Sequence, residues 1–547
     1  MNQNQPLKIK SMNALDKAKQ LFLEGLQLLE LEQHELAESK LMQAHLLVPD
    51  RLSILVNLSA IQIKLEKFEQ AKSSAKLALA IDANHAELWL NLGIAVKAQG
   101  ANDQALQHLD HALNLNPSLA AAWLHKAWIA MAQRHVELAQ HAFEQAAQID
   151  PPFAQIWQVD AYLSLGALYY TLDQVEKAIP PYQRLLATGT NSVQALQSLL
   201  VIYGELKRHE ELNALIKQHE KLLQTDALCN ELLGFYYFNT DQLDLAQHHF
   251  RQAALLSEHQ PNTNNPQEWP VSEPRLRHDR EQLQQLIARG IHTHAVTSAL
   301  EAICRYETNP SQQNQNEFIK VIGAYQHLPD APFTANALGD NNFQQIEHDF
   351  IHGSPKLVVI DNFLSSEALV QLRTFCEEAT VWKRSYPNGY LGSFMASGFC
   401  SPVILEIARQ LKLAMPNVVG SQDLRQAWGF KYDQRLGGIN LHADFARVNI
   451  NFWLTPDEAC LDNTTGGIVV YDTPPPKDWS FQKSNADSAT IKQYLEANQA
   501  KLVRVPYKMN RCVLFDSTYF HTTDEIHFKE GYENRRINCT LLFGKGL

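Results

Sequence analysis

Small and bulky apolar positions recur through the first half of the chain with a period of 34. Gly25, Ser59, Gly93 and Ala127 stand 34 residues apart. Twelve residues after each lies an alanine (Ala37, Ala71, Ala105, Ala139), and seven further on another (Ala44, Ala78, Ala112, Ala146). Leu21, Leu55, Trp89 and Trp123 sit four residues before the first small position, and Pro49, Ala83, Pro117 and Pro151 close the units. Small residues where two helices cross let their backbones approach, the bulky residue packs into the neighbouring unit, and proline stops the second helix. After five inserted residues the pattern resumes at Gly166, Ala178 and Tyr182; a degenerate unit spans roughly 195–223, and Gly234, Ala246, Phe250 and Ala253 mark a further one. This periodicity predicts about seven helix-turn-helix units over residues 14–258, stacked as a right-handed all-α solenoid.

The texture then changes twice. SEHQPNTNNPQEWPVSEP, at 257–274, is rich in Asn, Pro and Gln, so 259–274 reads as a linker between separately folding cores. Helical spacing returns with Leu283, Leu286 and Ile287, which predicts a bridging helical segment over 275–350 with no chemistry of its own. From residue 351 onward short β-like runs accumulate. They are LVVI at 357–360, QAWGFKYD at 426–433, ARVNINFWLT at 446–455, GGIVVYD at 466–472, AKLVRVPY at 500–507, RCVLFD at 511–516 and RINCTLLFG at 536–544. Many short strands separated by turns, Gly466-Gly467 among them, predict a jelly-roll domain over 351–547, with flanking helices, the first capped near Ser365 or Ser366. The insertion at 473–510, with a Pro run and a short helix carrying Ile491, Tyr494 and Leu495 on one face, could be a lid or a surface excursion. Tyr386, Tyr390 and Phe394 could line a substrate cleft or pack.

Within the β-rich part, INLHADFARVNINFWL at 439–454 carries His442 and Asp444 two positions apart. Residues two apart on a strand project from one face, so imidazole and carboxylate point together. An isolated H-x-D pair is common by chance. Here His521 follows 79 residues later beside a predicted strand, and the last strand opens with Arg536. Two histidines and one carboxylate on one octahedral face, with three positions open, suit non-haem Fe(II). A buried arginine in the same barrel is the natural bidentate donor for a dicarboxylate. Asn538 and Thr540 share the face of Arg536, whereas Arg535 points the other way and replaces it if the register slips by one.

The first half resembles the tetratricopeptide repeat, with its W…L-G…A…F…A…P skeleton. Residues 355–544 resemble the prolyl-hydroxylase-like branch of the Fe(II)- and 2-oxoglutarate-dependent oxygenases, whose double-stranded β-helix is the jelly roll expected here. The matching stretches are VVIDNFLS, Tyr432 ten residues before the first ligand, H-A-D, NFWLT, GGIVVYD, His521 and Arg536. The resemblance implies iron on His442, Asp444 and His521, and the 2-oxoglutarate C5 carboxylate on Arg536. It also implies a co-substrate pocket lined by Tyr432, with Asn449 or Asn451. His527 is a weaker alternative ligand in a turn-like insertion. An aspartate at 444, where halogenating relatives carry a small residue, favours hydroxylation. O2 is the second co-substrate, and ascorbate an auxiliary reductant. The function expected is hydroxylation of a protein or peptide side chain, recruited on the concave face of the repeats. The alternatives are a non-catalytic repeat scaffold with a degenerate barrel, and an oxygenase acting on a small metabolite.

Composition narrows the partners. At 547 residues the chain is too long for one core. A formal charge of −12 argues against nucleic acid, which needs clustered Lys and Arg. No apolar stretch reaches the length of a membrane helix, and MNQNQPLKIKSMNALDKAKQ lacks the apolar core of a secretory signal. Seven scattered cysteines without a C-x-x-C pair fit free thiols in a reducing cytoplasm. The sequence does not define the oligomeric state.

Overall fold

The computed structural model describes residues 13–149, 155–189, 192–258, 272–329, 334–386, 388–433, 437–476, 479–480, 483–486 and 488–545. Pro151 and most of the expected linker lie outside them. The chain divides into two compact units, Met1–Ile202 and Tyr203–Leu547.

The first unit is a succession of antiparallel helix pairs, beginning with Ala14–Glu30 and His34–Leu47, then Leu52–Lys64 and Phe68–Ile81. The small positions lie where the helices of a pair touch: Ala37, Ala71, Ala105 and Ala139 are fully buried. The turn inside each pair carries a residue in the left-handed region, at Glu32, Glu66, Gly100 and Arg134, and at Asp173 after the insertion. Trp89 and Trp123 do more than pack: each indole N–H closes the preceding loop, on the Ala83 carbonyl at 2.8 Å and the Pro117 carbonyl at 2.9 Å.

In the second unit the same turn recurs at Lys207 and Asp241. Its last helix pair, Ala227–Asn239 and Leu243–Glu258, does not keep to a core of its own, in contrast to the separate cores expected from the linker. Phe238, Ala246 and Phe250 belong to one apolar cluster with Phe375, Val403, Ile450 and Phe452 of the β-rich part. The Asn239 amide also takes up both backbone groups of Leu424 at a strand end, at 2.9 and 3.3 Å. A chain starting near residue 275 would therefore expose one side of this core to water. Gly234 tests the shared packing. A Cβ there would lie 2.7 Å from the ring of Phe250, which is fully buried. Gly234→Ala gains about 1 kcal/mol of helix propensity and loses about 1–3 kcal/mol to overpacking. Chemical denaturation should show a net loss of about 1 kcal/mol in the 203–547 transition. A gain would mean that Phe250 is free to move.

Among the described residues ten strands follow, β1 (Leu357–Ile360), β2 (Arg384–Ser385), β3 (Tyr390–Phe394), β4 (Leu424–Tyr432), β5 (Val448–Trp453), β6 (Ile468–Tyr471), β7 (Leu502–Val505), β8 (Cys512–Asp516), β9 (His521–Thr523) and β10 (Ile537–Phe543). They form two antiparallel sheets, ordered β1-β8-β5-β10-β4-β3-β2 and β7-β6-β9. Strand β5 explains the alternation of asparagines with apolar residues. Val448, Ile450 and Phe452 enter the large core, whereas Trp453 packs in a second cluster with Val470, Val505 and Phe515 between the sheets. All six residues of β5 are buried, so the asparagines face an enclosed space and not solvent.

The segment expected to carry no chemistry braces residues that flank these strands. Helix Glu273–Ala288 is capped by Ser272 and buries Arg275, His278, Asp279 and Gln282. Gln282 donates to the Glu377 and Ala379 carbonyls, at 3.1 and 3.0 Å. Arg277 pairs with Asp433 and Glu281 with Arg535, both at the ends of site-bearing strands.

Candidate metal and co-substrate site

His442 and His521 face each other across an isolated antiparallel bridge, each backbone N–H bonded to the other's carbonyl, at 3.0 and 2.8 Å. His521 follows β8, as expected, and opens the short strand β9. The His442 Nδ1 lies 2.8 Å from the Asn440 carbonyl and the His521 Nδ1 lies 2.9 Å from that of Tyr519. A carbonyl only accepts, so both Nδ1 atoms carry the proton and both Nε2 atoms present lone pairs. Those lone pairs meet the Asp444 carboxylate: His442 Nε2 is 3.7 Å from Oδ1, and His521 Nε2 is 3.5 Å from Oδ2. The three ligand atoms lie within 4.8 Å of one another. Burial, with the neighbouring His521, pushes His442 down to about 4, so its ring is neutral near pH 7. Three acceptors converging in this way could hold a cation.

Asn449 and Asn451 both line the same cavity as Tyr432 and Arg536, and Asn449 also acts on the triad. Its Nδ2 donates to Asp444 Oδ2 at 2.9 Å and so orients the carboxylate. Asn451 donates to Thr540 Oγ1 at 3.1 Å. The Oδ1 atoms of both asparagines are buried without a partner. His527 stands apart, half exposed and 3.6 Å from Glu525.

These groups line a cavity of about 530 Å³ that also takes in Arg536, Tyr432, Asn538 and Thr540. Arg536 is 2% exposed, its Nε donating to the Gly466 carbonyl at 2.6 Å and its Nη2 to Gly467 at 3.0 Å. Nη1 has no partner, and no carboxylate pairs with this guanidinium among the described residues. Burial lowers its pKa. The ring of Tyr432 stacks 4.7 Å from it, and burial raises the Tyr432 phenol. Arg535 leaves the cavity for Glu281 at 2.8 Å and Asp433 at 3.5 Å. The Gly466-Gly467 pair is thus more than a turn. Gly466 has φ +78°, and a Cβ on Gly467 would lie 1.9 Å from the Val505 carbonyl, so only glycines bring these two carbonyls under Arg536. Over the other side, Ile491 and Leu495 of helix Ser488–Ala497 pack on Leu441, Ala443 and Phe520, and Asn485 of the same insertion lines the cavity.

The residues present fit a divalent metal and a dicarboxylate: three convergent acceptors for the first, a buried guanidinium with a partnerless Nη1 for the second.

Comparison with known proteins speaks to the repeats. Residues 52–85 and 120–153 each match the tetratricopeptide repeat family, and such arrays present extended surfaces for protein partners. A thermophilic tetratricopeptide repeat protein of Thermus thermophilus is similar at 20% identity, over 34% of this chain and 99% of its own, with a TM-score of 0.29. The PilF protein of Pseudomonas aeruginosa is similar at 17% identity, over 39% of this chain and 94% of its own, with a TM-score of 0.32. A tetratricopeptide repeat protein of Parabacteroides merdae is similar at 16% identity, over 45% of this chain and 95% of its own, with a TM-score of 0.31. No curated protein matches the chain. No helix among the described residues is long and apolar enough to cross a membrane.

Proposed function

We propose that the 203–547 unit is an Fe(II)- and 2-oxoglutarate-dependent oxygenase with a jelly-roll core, hydroxylating a protein or peptide side chain recruited by the repeats. One observation carries this reading. The acceptor triad of His442, Asp444 and His521 and the buried Arg536, whose Nη1 lacks a partner, line one cavity, where a metal and a dicarboxylate can be held together. Iron, with 2-oxoglutarate and O2, supplies the oxidising chemistry when bound. The chain's own residues do the rest. The two Nε2 lone pairs and the carboxylate bind the ion, and the Asn440 and Tyr519 carbonyls fix the rings. Asn449 orients Asp444, Arg536 receives the distal carboxylate, and Tyr432 closes the wall against water.

The full-length protein should bind one ferrous ion and, with 2-oxoglutarate and O2, form succinate slowly without added substrate. Titration of the metal is followed separately from succinate. Iron binding without succinate, with or without a peptide substrate, would favour a degenerate barrel that only binds.

A further inference from the structure

The cavity contains a second arginine for which the co-substrate has no use. Arg384 lines its outer part and is exposed, with its guanidinium 5.3 Å above the ring of Tyr386 and 5.4 Å above that of Phe394. Among the described residues it makes no ion pair and no hydrogen bond through its side chain. Stacking covers the faces of a guanidinium and leaves its N–H edges free, the edge geometry a carboxylate takes.

The platform beneath it is fixed. Tyr386 stacks on Tyr390 at 4.4 Å, Tyr390 stacks on Tyr432 at 5.4 Å, and Tyr432 lies against Arg536. Two guanidiniums thus cap the ends of one stack of three tyrosines, one fully buried, the other at the surface. The Asn388 amide pins the β2–β3 turn to the segment carrying His442, donating to Asn440 Oδ1 at 3.1 Å and the Gly438 carbonyl at 3.2 Å. Phe394 and Trp428, both half-buried, extend the apolar wall beyond what a small dicarboxylate covers.

We propose that this outer wall is the substrate subsite, and that it takes a polypeptide segment bearing an acidic side chain, whose carboxylate pairs with Arg384 while neighbouring apolar groups lie on the aromatic wall. The proposal rests on the oxygenase reading for what happens next to the bound segment, but the binding itself needs neither iron nor turnover. Division of labour follows from burial: the enclosed Arg536 suits a small dicarboxylate, and the exposed Arg384 suits a chain that must enter and leave.

Two pools of random decapeptides provide the probe, identical except that one contains Asp and Glu where the other contains Asn and Gln. Full-length protein is dialysed against each without O2, both metal-free and with Fe(II) and 2-oxoglutarate, and retained peptides are counted by mass spectrometry. A charge-assisted bidentate pair at a part-exposed site predicts about tenfold retention of the acidic pool over the amide pool. Arg384→Gln should abolish the preference and Arg384→Glu reverse it. Arg384 is exposed, so both variants should fold, as checked by their thermal midpoints. Equal retention of the pools by the unaltered protein overturns the proposal, as does a preference that survives Arg384→Gln. A several-fold weakening of 2-oxoglutarate affinity by Arg384→Gln overturns it too, by assigning this arginine to the co-substrate. A protein that prefers the acidic pool yet binds no iron would sink the oxygenase reading and leave this subsite standing.

Discussion

Replacing His442 by alanine is expected to weaken ferrous iron binding by about 100-fold or more, while leaving the metal-free fold as stable as before. The magnitude follows from dividing the roughly 10–16 kcal/mol of a four-ligand protein metal site among its ligands, which gives about 3 kcal/mol each. The indifference of the metal-free fold follows from where the ring points. His442 faces the cavity, and its Nε2 lone pair opposes a carboxylate oxygen at 3.7 Å with no donor between them. Taking one acceptor from three that face one another relieves repulsion, which offsets the small apolar contact the ring makes. Thermal unfolding separates the two effects. Iron at about 100 times its dissociation constant should stabilise the unaltered protein by about 2.7 kcal/mol. In the His442→Ala variant that increment should vanish, with the metal-free midpoint unmoved. Asp444→Ala should behave alike. If His527→Ala abolished the increment and His442→Ala did not, the ligand assignment would be wrong.

What the sequence made legible, and what it hid, divides along the range of the interactions involved. The 34-residue period is a local rule: each turn needs a left-handed residue and each helix pair a small contact, and Glu32, Glu66, Gly100 and Arg134 repeat it in the folded chain. The parity of a strand is equally local. It separated Arg536 from Arg535, which the structure sends to opposite sides, but it misplaced the H-x-D pair: His442 makes only an isolated bridge and Asp444 lies in irregular backbone ahead of β5, where the two nonetheless meet His521. Partnership across the fold was not legible. Nothing in the string near Asn449 says that its amide also reaches Asp444. Gly466 and Gly467 read as a turn because their second task, offering two carbonyls to a residue 70 positions later, is set by the sheet pairing. The polar helix Glu273–Ala288 looked inert because it is tied down through Arg275 on the Lys383 carbonyl, Arg277 on Asp433 and Gln282 on the Glu377 and Ala379 carbonyls, which apolar periodicity does not register. A polar break after residue 256 suggested independent cores, but Phe238 and Phe250 fill the same cluster as Ile450 and Phe452.

Arg536→Ala is expected to raise the 2-oxoglutarate requirement by tens-fold or more without loss of iron binding or fold. A buried carboxylate deprived of its charged partner costs about 2–5 kcal/mol, and full enclosure leaves no solvent to soften that loss. The stability side has opposing parts. The substitution removes two hydrogen bonds to Gly466 and Gly467, worth about 1 kcal/mol each. It also removes a buried cation that no carboxylate balances among the described residues and whose Nη1 is unsatisfied, a penalty of similar size. The co-substrate-free protein should therefore unfold at nearly the same midpoint. Lysine should not rescue, because one ammonium cannot span both glycine carbonyls and still present a planar pair of donors to a carboxylate. Arg535→Ala is the contrasting case. That arginine is 3% exposed and holds Glu281 and Asp433, so its loss should destabilise the unit by about 2–3 kcal/mol, the low end because Asp433 keeps Arg277 and Glu281 is partly solvated. Its 2-oxoglutarate requirement should be unchanged. Isothermal titration with 2-oxoglutarate under argon, beside urea denaturation, reads both quantities for both variants. If the two arginines exchanged phenotypes, with Arg535→Ala losing the co-substrate and Arg536→Ala losing the fold, the anchor assigned here would be wrong.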